Sequence, residues 1–204
     1  PALARTFPPP PPPLGTPRGG AGRGRPGARA TFFVIGRQAA RYPDLVRLAA
    51  QRGHEIASHS FTHRLPRRLS DSELIWELEA SAEVIRVCTA RTPVLYRPPG
   101  GDWDERVLAL AHQRGYDVIL WTWSAYATQD WRATRPEAIS SRVVQNARPG
   151  DIVLLHDGSG TGAVVKAVEQ ILERLGSQGY RFVTVSQLLE LERGTAPAGP
   201  QPGL

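Results

Sequence analysis

Along the chain, short apolar runs alternate with segments whose apolar positions recur at helical spacing. Ala30–Ile35 (ATFFVI) is a β-branched and aromatic run closed by Gly36, which predicts a buried strand. Pro43–Arg52 sets Leu45, Leu48 and Ala49 on one helical face, with Pro43 tolerated in the first turn. His54–Ser58 returns to strand. Ser70-Asp71-Ser72-Glu73 is a capping box that opens a helix. Leu74, Ile75, Leu78, Ala82 and Ile85 form its apolar face, which runs to about Val87. Val94–Tyr96 reads as a strand and Asp104–Arg114 as a helix ending at Gly115. Asp117–Trp123 (DVILWTW) is nearly continuously apolar, as in a strand covered on both faces. A helix follows from Thr134-Arg135-Pro136-Glu137 to about Ala147, then a strand at Asp151–Leu155, a helix at Ala163–Leu175, a strand at Arg181–Val185 and a closing helix at Ser186–Leu191. Six strands from Ala30 onward alternate with helices, which predicts a parallel α/β sheet, open or closed into a barrel.

Composition changes this picture only at the ends. The chain has 204 residues and a net charge of +6, but residues 1–29 contain five Arg and no acid. The same stretch holds nine of the 19 Pro and six of the 20 Gly, and residues 195–204 add three Pro and no charge. A near-neutral body, 30–194, therefore lies between a Pro/Gly/Arg-rich segment, 1–29, and a tail, 195–204, both expected to be disordered. With the charge localised, a basic nucleic-acid surface is unsupported. No apolar run reaches the length of a transmembrane helix, and the first 29 residues lack the apolar core of a signal peptide. The lone Cys88 excludes an internal disulfide and a Cys-based zinc site.

In a parallel α/β sheet, chemistry sits at the C-terminal ends of the strands. The second predicted strand ends in His59-Ser60-Phe61-Thr62-His63, where two imidazoles on one face of a helical turn can grip a metal ion; two unrelated surface histidines are the plainer alternative. The third runs into Arg97-Pro98-Pro99-Gly100-Gly101, a stiff turn that fixes Arg97 where a forked hydrogen bond could orient a carboxylate. The fourth leads to Asp130-Trp131 through a region crowded by Trp121, Trp123 and Tyr126, with one of Trp121 and Trp123 expected in the core and Trp131 exposed to a sugar ring. The fifth ends in Leu154-Leu155-His156-Asp157, with His156 placed for acid or base work.

In this order, ATFFVIG (30–36), GHEIASHSFTH (53–63), YRPPGG (96–101), Gln129-Asp130-Trp131 and IVLLHDG (152–158) resemble the polysaccharide deacetylases, and the resemblance spans about Ala30 to Leu191. It implies a distorted (β/α) barrel and a metal-dependent hydrolase that removes N-acetyl, sometimes O-acetyl, groups from a polymer such as chitin, chito-oligosaccharide or peptidoglycan. It implies that His59 and His63 bind a divalent metal, zinc first, with cobalt or another first-row ion as alternatives. By the same resemblance Arg97 holds the catalytic carboxylate, Pro98, Pro99 and Gly100 bind substrate, and the backbone near Gly100 helps to hold the oxyanion. Trp131 lines the groove, Leu154 the acetyl pocket, His156 is the general acid, and Asp130 is counted with the catalytic residues. A monomer at the cell wall or outside the cell is expected.

Three departures stand against that pattern. Ala127 occupies a position, three before Asp130, where the family often has an Asp thought to tune the acid histidine. Gly100 replaces a frequent Tyr. Gravest, the family opens with a strand ending Thr-Phe-Asp-Asp-Gly-Pro, whose aspartates are the base and the third metal ligand. Here Thr6-Phe7 keeps the spacing to Ala30, but Pro8 and Pro9 stand where the aspartates belong. The Gly and Pro of residues 18–29 do not support the helix that should follow. The first βα unit is therefore expected to be lost or disordered. Twenty of the 22 residues 8–29 are Pro, Gly, Arg or Ala, the composition that an out-of-frame stretch of a GC-rich gene encodes. The readings that follow are a deacetylase with a misread first motif and a catalytically dead relative that only binds glycan. A weaker third is a nucleic-acid or membrane binder acting through the tail.

Overall fold

The computed structural model describes residues 2–7, 27–122, 128–130, 132, 135–156 and 162–195, with the backbone alone at 2–7 and at 195. Seven parallel strands form one sheet: β1 (Ala2–Phe7), β2 (Thr31–Val34), β3 (Glu55–Ser58), β4 (Leu95–Tyr96), β5 (Asp117–Val118), β6 (Ile152–Leu154) and β7 (Arg181–Val183). Their order is β5-β4-β3-β2-β1-β6, with β7 also paired to β1. Beyond β5, Thr122 N–H donates to Ile152 O (3.1 Å), and Ile152 N–H donates to Thr122 Oγ1 (2.8 Å). That contact brings the β5 side of the ladder to β6, its other end.

β1 corrects an expectation. The first βα unit is not lost entire: Thr6 and Phe7 pair with Thr31 and Phe32, Ala4–Thr6 with Ile152–Leu154, and Ala2–Ala4 with Arg181–Val183. A ladder needs only extended backbone with its N–H groups, and ALARTF contains no Pro to deny them. Residues 8–26, where the helix of that unit belongs, lie outside the described residues.

The helices are α1 (Gly36–Arg41), α2 (Pro43–Gln51), α3 (Asp71–Thr89), α4 (Glu105–Gln113), α5 (Pro136–Asn146), α6 (Gly162–Ser177) and α7 (Val185–Thr195). The periodicity finds all of them but α1, where Gly36 reads as a stop. The Ser70 box is formed in full: Ser70 accepts from Glu73 N–H, and Glu73 accepts from Ser70 N–H. β5 is shorter than DVILWTW predicts, its ladder ending at Val118, while Ile119 N–H still reaches Tyr96 O at 2.8 Å.

Strand alternation sorts the core into two layers. Phe32 and Val34 face helices α2, α3, α5 and α6, packing in one cluster with Val46, Ile85, Ile139 and Ile171. Phe33 faces the other way, with Ala57 of β3, Leu95 of β4 and Ile119 just beyond β5, and α7 covers them through Val185 and Leu188. Glu55 anchors that cover at the N-terminal end of β3. It accepts from Thr31 Oγ1 at 2.6 Å, from Ser186 N–H at 3.3 Å and from the Ser186 hydroxyl, which places a carboxylate at the start of α7. Among the described residues no helix is long and apolar enough to cross a membrane.

Candidate active site

The C-terminal ends of β3, β4 and β6 carry the side chains that the sequence singles out. His59 follows β3 directly and is buried, 6% exposed. Its Nδ1–H donates to the Arg97 carbonyl at 2.7 Å, which leaves the lone pair on Nε2. Desolvation by burial pushes its pKa down to about 3, opposed in part by the bond to Arg97 and assisted by the charges of His63, Arg97 and His156. The ring is thus a neutral imidazole near neutral pH, the form that ligates a metal. His63 lies beside it, ring centroids 4.8 Å apart. Burial lowers its pKa too, with Arg37 and His156 acting in the same sense.

The two histidines meet by a different route from the expected one. No helical turn joins them. Ser60 (φ 61°) and His63 (φ 69°) are both left-handed, and His63 N–H returns to Ser60 Oγ at 3.1 Å. The turn is held from outside by a residue that the motif reading passes over, Glu77 of α3, which is 1% exposed. Its Oε2 accepts the N–H of Phe61 and of Thr62, each at 2.7 Å, and its Oε1 accepts the Thr62 hydroxyl. A signal for it exists in the sequence: Glu77 sits in the stripe Leu74, Leu78, Ser81, Ile85, where a carboxylate has no reason to be unless it binds something.

At the end of β4, Arg97 is 2% exposed. It donates through Nε to Ile119 O (3.1 Å) and through Nη2 to Leu120 O (2.5 Å), and its guanidinium lies 4.1 Å from the Phe33 ring centroid. Burial pushes its pKa down to about 9, so it keeps its charge at neutral pH. The next residues form a tight turn in which Gly101 N–H bonds Pro98 O at 3.0 Å and Pro99 is buried. Gly100 and Gly101 both have positive φ, 67° and 66°. A Cβ on Gly101 would stand 2.7 Å from Trp121 Cη2, so the glycines are what let Trp121 close over the turn. A Tyr at Gly100 would be strained in this backbone, with Leu65 Cδ2 already 3.1 Å from where its Cβ would be. Among the described residues no acceptor meets the Gly100 N–H. Trp121 is half-buried, its ring centroid 5.7 Å from the Arg97 guanidinium; Trp123, Tyr126 and Trp131 lie outside the described residues.

At the end of β6, Leu154 is buried and His156 is one-third exposed. His156 Nδ1–H donates to Asp130 Oδ1 at 3.0 Å, and His156 N–H donates to Asp130 Oδ2. Asp130 is itself buried, with Thr128 Oγ1 donating to Oδ1 at 3.1 Å and Arg142 holding the Thr128 carbonyl at 3.1 Å. Asp130 thus meets His156 directly; Ala127, where the resemblance would put a tuning Asp, lies outside the described residues. A cavity of about 860 Å³ lined by Ala28, Tyr180, Phe182 and Leu191 lies at the opposite end of the strands and contains none of these groups.

The donor set fits a first-row divalent ion in part. Two neutral imidazoles, one with its tautomer fixed by a carbonyl, are what such an ion takes. Among the described residues no group of three or more His, Cys, Asp or Glu completes the site. Phe7, the last described residue before Pro8, pairs with Phe32.

Known proteins similar to this chain include deacetylases. The family model for polysaccharide deacetylase matches residues 25–119. A peptidoglycan-N-acetylglucosamine deacetylase of Bacillus cereus is 41% identical over 163 residues, 79% of this chain and 76% of that one. The peptidoglycan-N-acetylmuramic acid deacetylase PdaC of Bacillus subtilis is 36% identical over 165 residues, but the match spans only 33% of its length. The solved structure of PdaC superposes with a TM-score of 0.82 at 31% identity, covering 95% of this chain and 92% of that one. A pseudoenzyme of the CE4 family from Bacillus anthracis superposes with a TM-score of 0.79 at 25% identity, covering 92% and 65%, and a mutant of it is described as having restored enzymatic activity.

Proposed function

The chain belongs to the polysaccharide deacetylase family, and from that premise we propose that it is built as a metal-dependent hydrolase removing N-acetyl groups from a cell-wall glycan, with peptidoglycan the leading substrate class. The observation that carries this reading is the pair of differently partnered histidines at one mouth, His59 on a carbonyl and His156 on a carboxylate.

His59 and His63 would hold the ion. A bound divalent ion polarises the amide carbonyl and acidifies a water. The chain's own groups do the rest. Gly100 offers its N–H to the oxygen that becomes negative as the carbonyl turns tetrahedral. Leu154 gives the acetyl methyl an apolar wall. His156, held at Nδ1 by Asp130, presents Nε2 to the departing nitrogen and donates its proton there, because an amide anion is too poor a leaving group. Arg97 keeps a positive charge beneath the mouth. One step has no group: Pro8 stands at the family's base position, and its side chain accepts no proton.

That gap favours a second reading, glycan binding without turnover. Acetate release from peptidoglycan and from N-acetylglucosamine oligomers, with Zn²⁺ or Co²⁺ supplied, separates the two. We expect little release from the chain as it stands and clear release from a Pro8→Asp/Pro9→Asp variant, lost again in His59→Ala or His156→Ala. Glycan binding with no release from the restored variant would establish the second reading. Release by the unaltered chain would overturn the assignment of the base to position 8.

A further inference from the structure

We propose that Glu77 is a positioning residue for the histidine pair, setting where His63 stands relative to His59. His59 is fixed independently: its N–H bonds Val34 O at 2.9 Å and its ring bonds Arg97 O. His63 belongs to no strand or helix, so its place depends on the turn that carries it. That turn is clamped from two sides. On one, Gly36 N–H and Arg37 N–H at the start of α1 donate to Ser60 O (2.9 Å) and Phe61 O (3.0 Å). The approach is close, since a Cβ on Gly36 would lie 2.6 Å from Phe61 Cδ2. On the other, Glu77 takes the N–H of Phe61, the N–H of Thr62 and the Thr62 hydroxyl.

The carboxylate suits this task. Two neighbouring N–H groups in a non-helical turn converge on one oxygen, and three donors offset the cost of burying the charge. With Glu77 removed, both N–H groups lose their acceptor in a water-poor place, and the turn relaxes to find another. A glutamine should serve nearly as well. Its carbonyl oxygen can take both N–H groups, and its NH₂ can donate to Thr62 Oγ1, whose hydroxyl rotates to accept.

The metal clause of the inference rests on the functional reading above; the clause about the turn does not, and the test keeps them apart. Amide hydrogen exchange is measured on the metal-free protein for wild type, Glu77→Ala and Glu77→Gln, followed by Zn²⁺ titration of each. In Glu77→Ala, exchange at Phe61 and Thr62 should quicken at least about tenfold more than at Phe33 or Leu78, and Zn²⁺ affinity should fall about 10–100-fold, as for other groups that orient metal ligands. Glu77→Gln should stay within about threefold of wild type on both measures, since it preserves the contacts. Uniform quickening at Phe33, Leu78, Phe61 and Thr62 in Glu77→Ala would overturn the inference by showing general destabilisation. Glu77→Gln as defective as Glu77→Ala would also overturn it. If the wild type takes up no Zn²⁺, the metal reading fails, while the exchange comparison still decides the role of Glu77.

Discussion

His59 and His156 stand at one mouth, each held through Nδ1, yet the groups that hold them differ in kind. His59 gives Nδ1–H to a backbone carbonyl, and burial keeps it neutral with a pKa of about 3. His156 gives Nδ1–H to the buried carboxylate of Asp130 and is one-third exposed. A carbonyl fixes a tautomer and offsets only part of the cost of charging a buried ring. A carboxylate also balances the charge of an imidazolium while it holds a proton at Nε2. On the proposed function, the partner rather than the residue type would separate a metal ligand from an acid. There is a second consequence: no side-chain substitution removes the partner of His59, whereas one substitution removes that of His156.

The sharpest break of this comparison is Asp130→Asn. The His156 N–H needs an oxygen at Oδ2, which turns the amide NH₂ toward Nδ1 and makes Nδ1 an acceptor. The ring is then locked neutral, and a neutral imidazole N–H is a poor acid. Turnover in the Pro8→Asp/Pro9→Asp background should fall about 10²–10⁴-fold, with Zn²⁺ affinity unchanged by titration. His59→Ala in the same background should show the reverse emphasis, with weakened Zn²⁺ binding and activity partly recovered at high metal concentration. Equal loss of metal affinity in both variants would erase the distinction. Gly101→Ala should be next in size. Its φ of 66° and the approach to Trp121 make it cost about 1–3 kcal/mol of stability, read by urea unfolding. The smallest effect belongs to Thr128→Val, which removes one hydrogen bond to Asp130 and should cost about 0.5–1.5 kcal/mol with a modest loss of turnover.

Much of this arrangement is legible in the chain because it is written locally. The Ser70 cap, the apolar face of α3 and the runs that become β2 and β6 each depend on residues within a few positions, and each is found as expected. The positions of His59, Arg97 and His156 follow once their strands are known. What the sequence hides is long-range. Asp130 meets His156 across 26 residues, and Glu77 meets Thr62 across 15, with no periodicity to announce either pairing. The histidine turn depends on left-handed Ser60 and His63, a conformation uncommon for any residue but glycine and not marked by the local sequence. β1 is hidden in another way: six residues next to a proline run look negligible, yet their backbone completes three ladders.

The position of β1 has a bearing on how the protein comes to be made. During synthesis that strand leaves the ribosome before any of its partners, but β6 and β7, two of the three, leave only after β2, β3, β4 and β5. The first part of the sheet to be translated must therefore be among the last to be satisfied. Until then its N–H and C=O groups on the side of β6 and β7 wait unpaired while β2, β3, β4 and β5 assemble. A strand with so long a wait is open to pairing with another chain, and the prolines that follow it, which donate no hydrogen bond, limit how far such a stray ladder could extend.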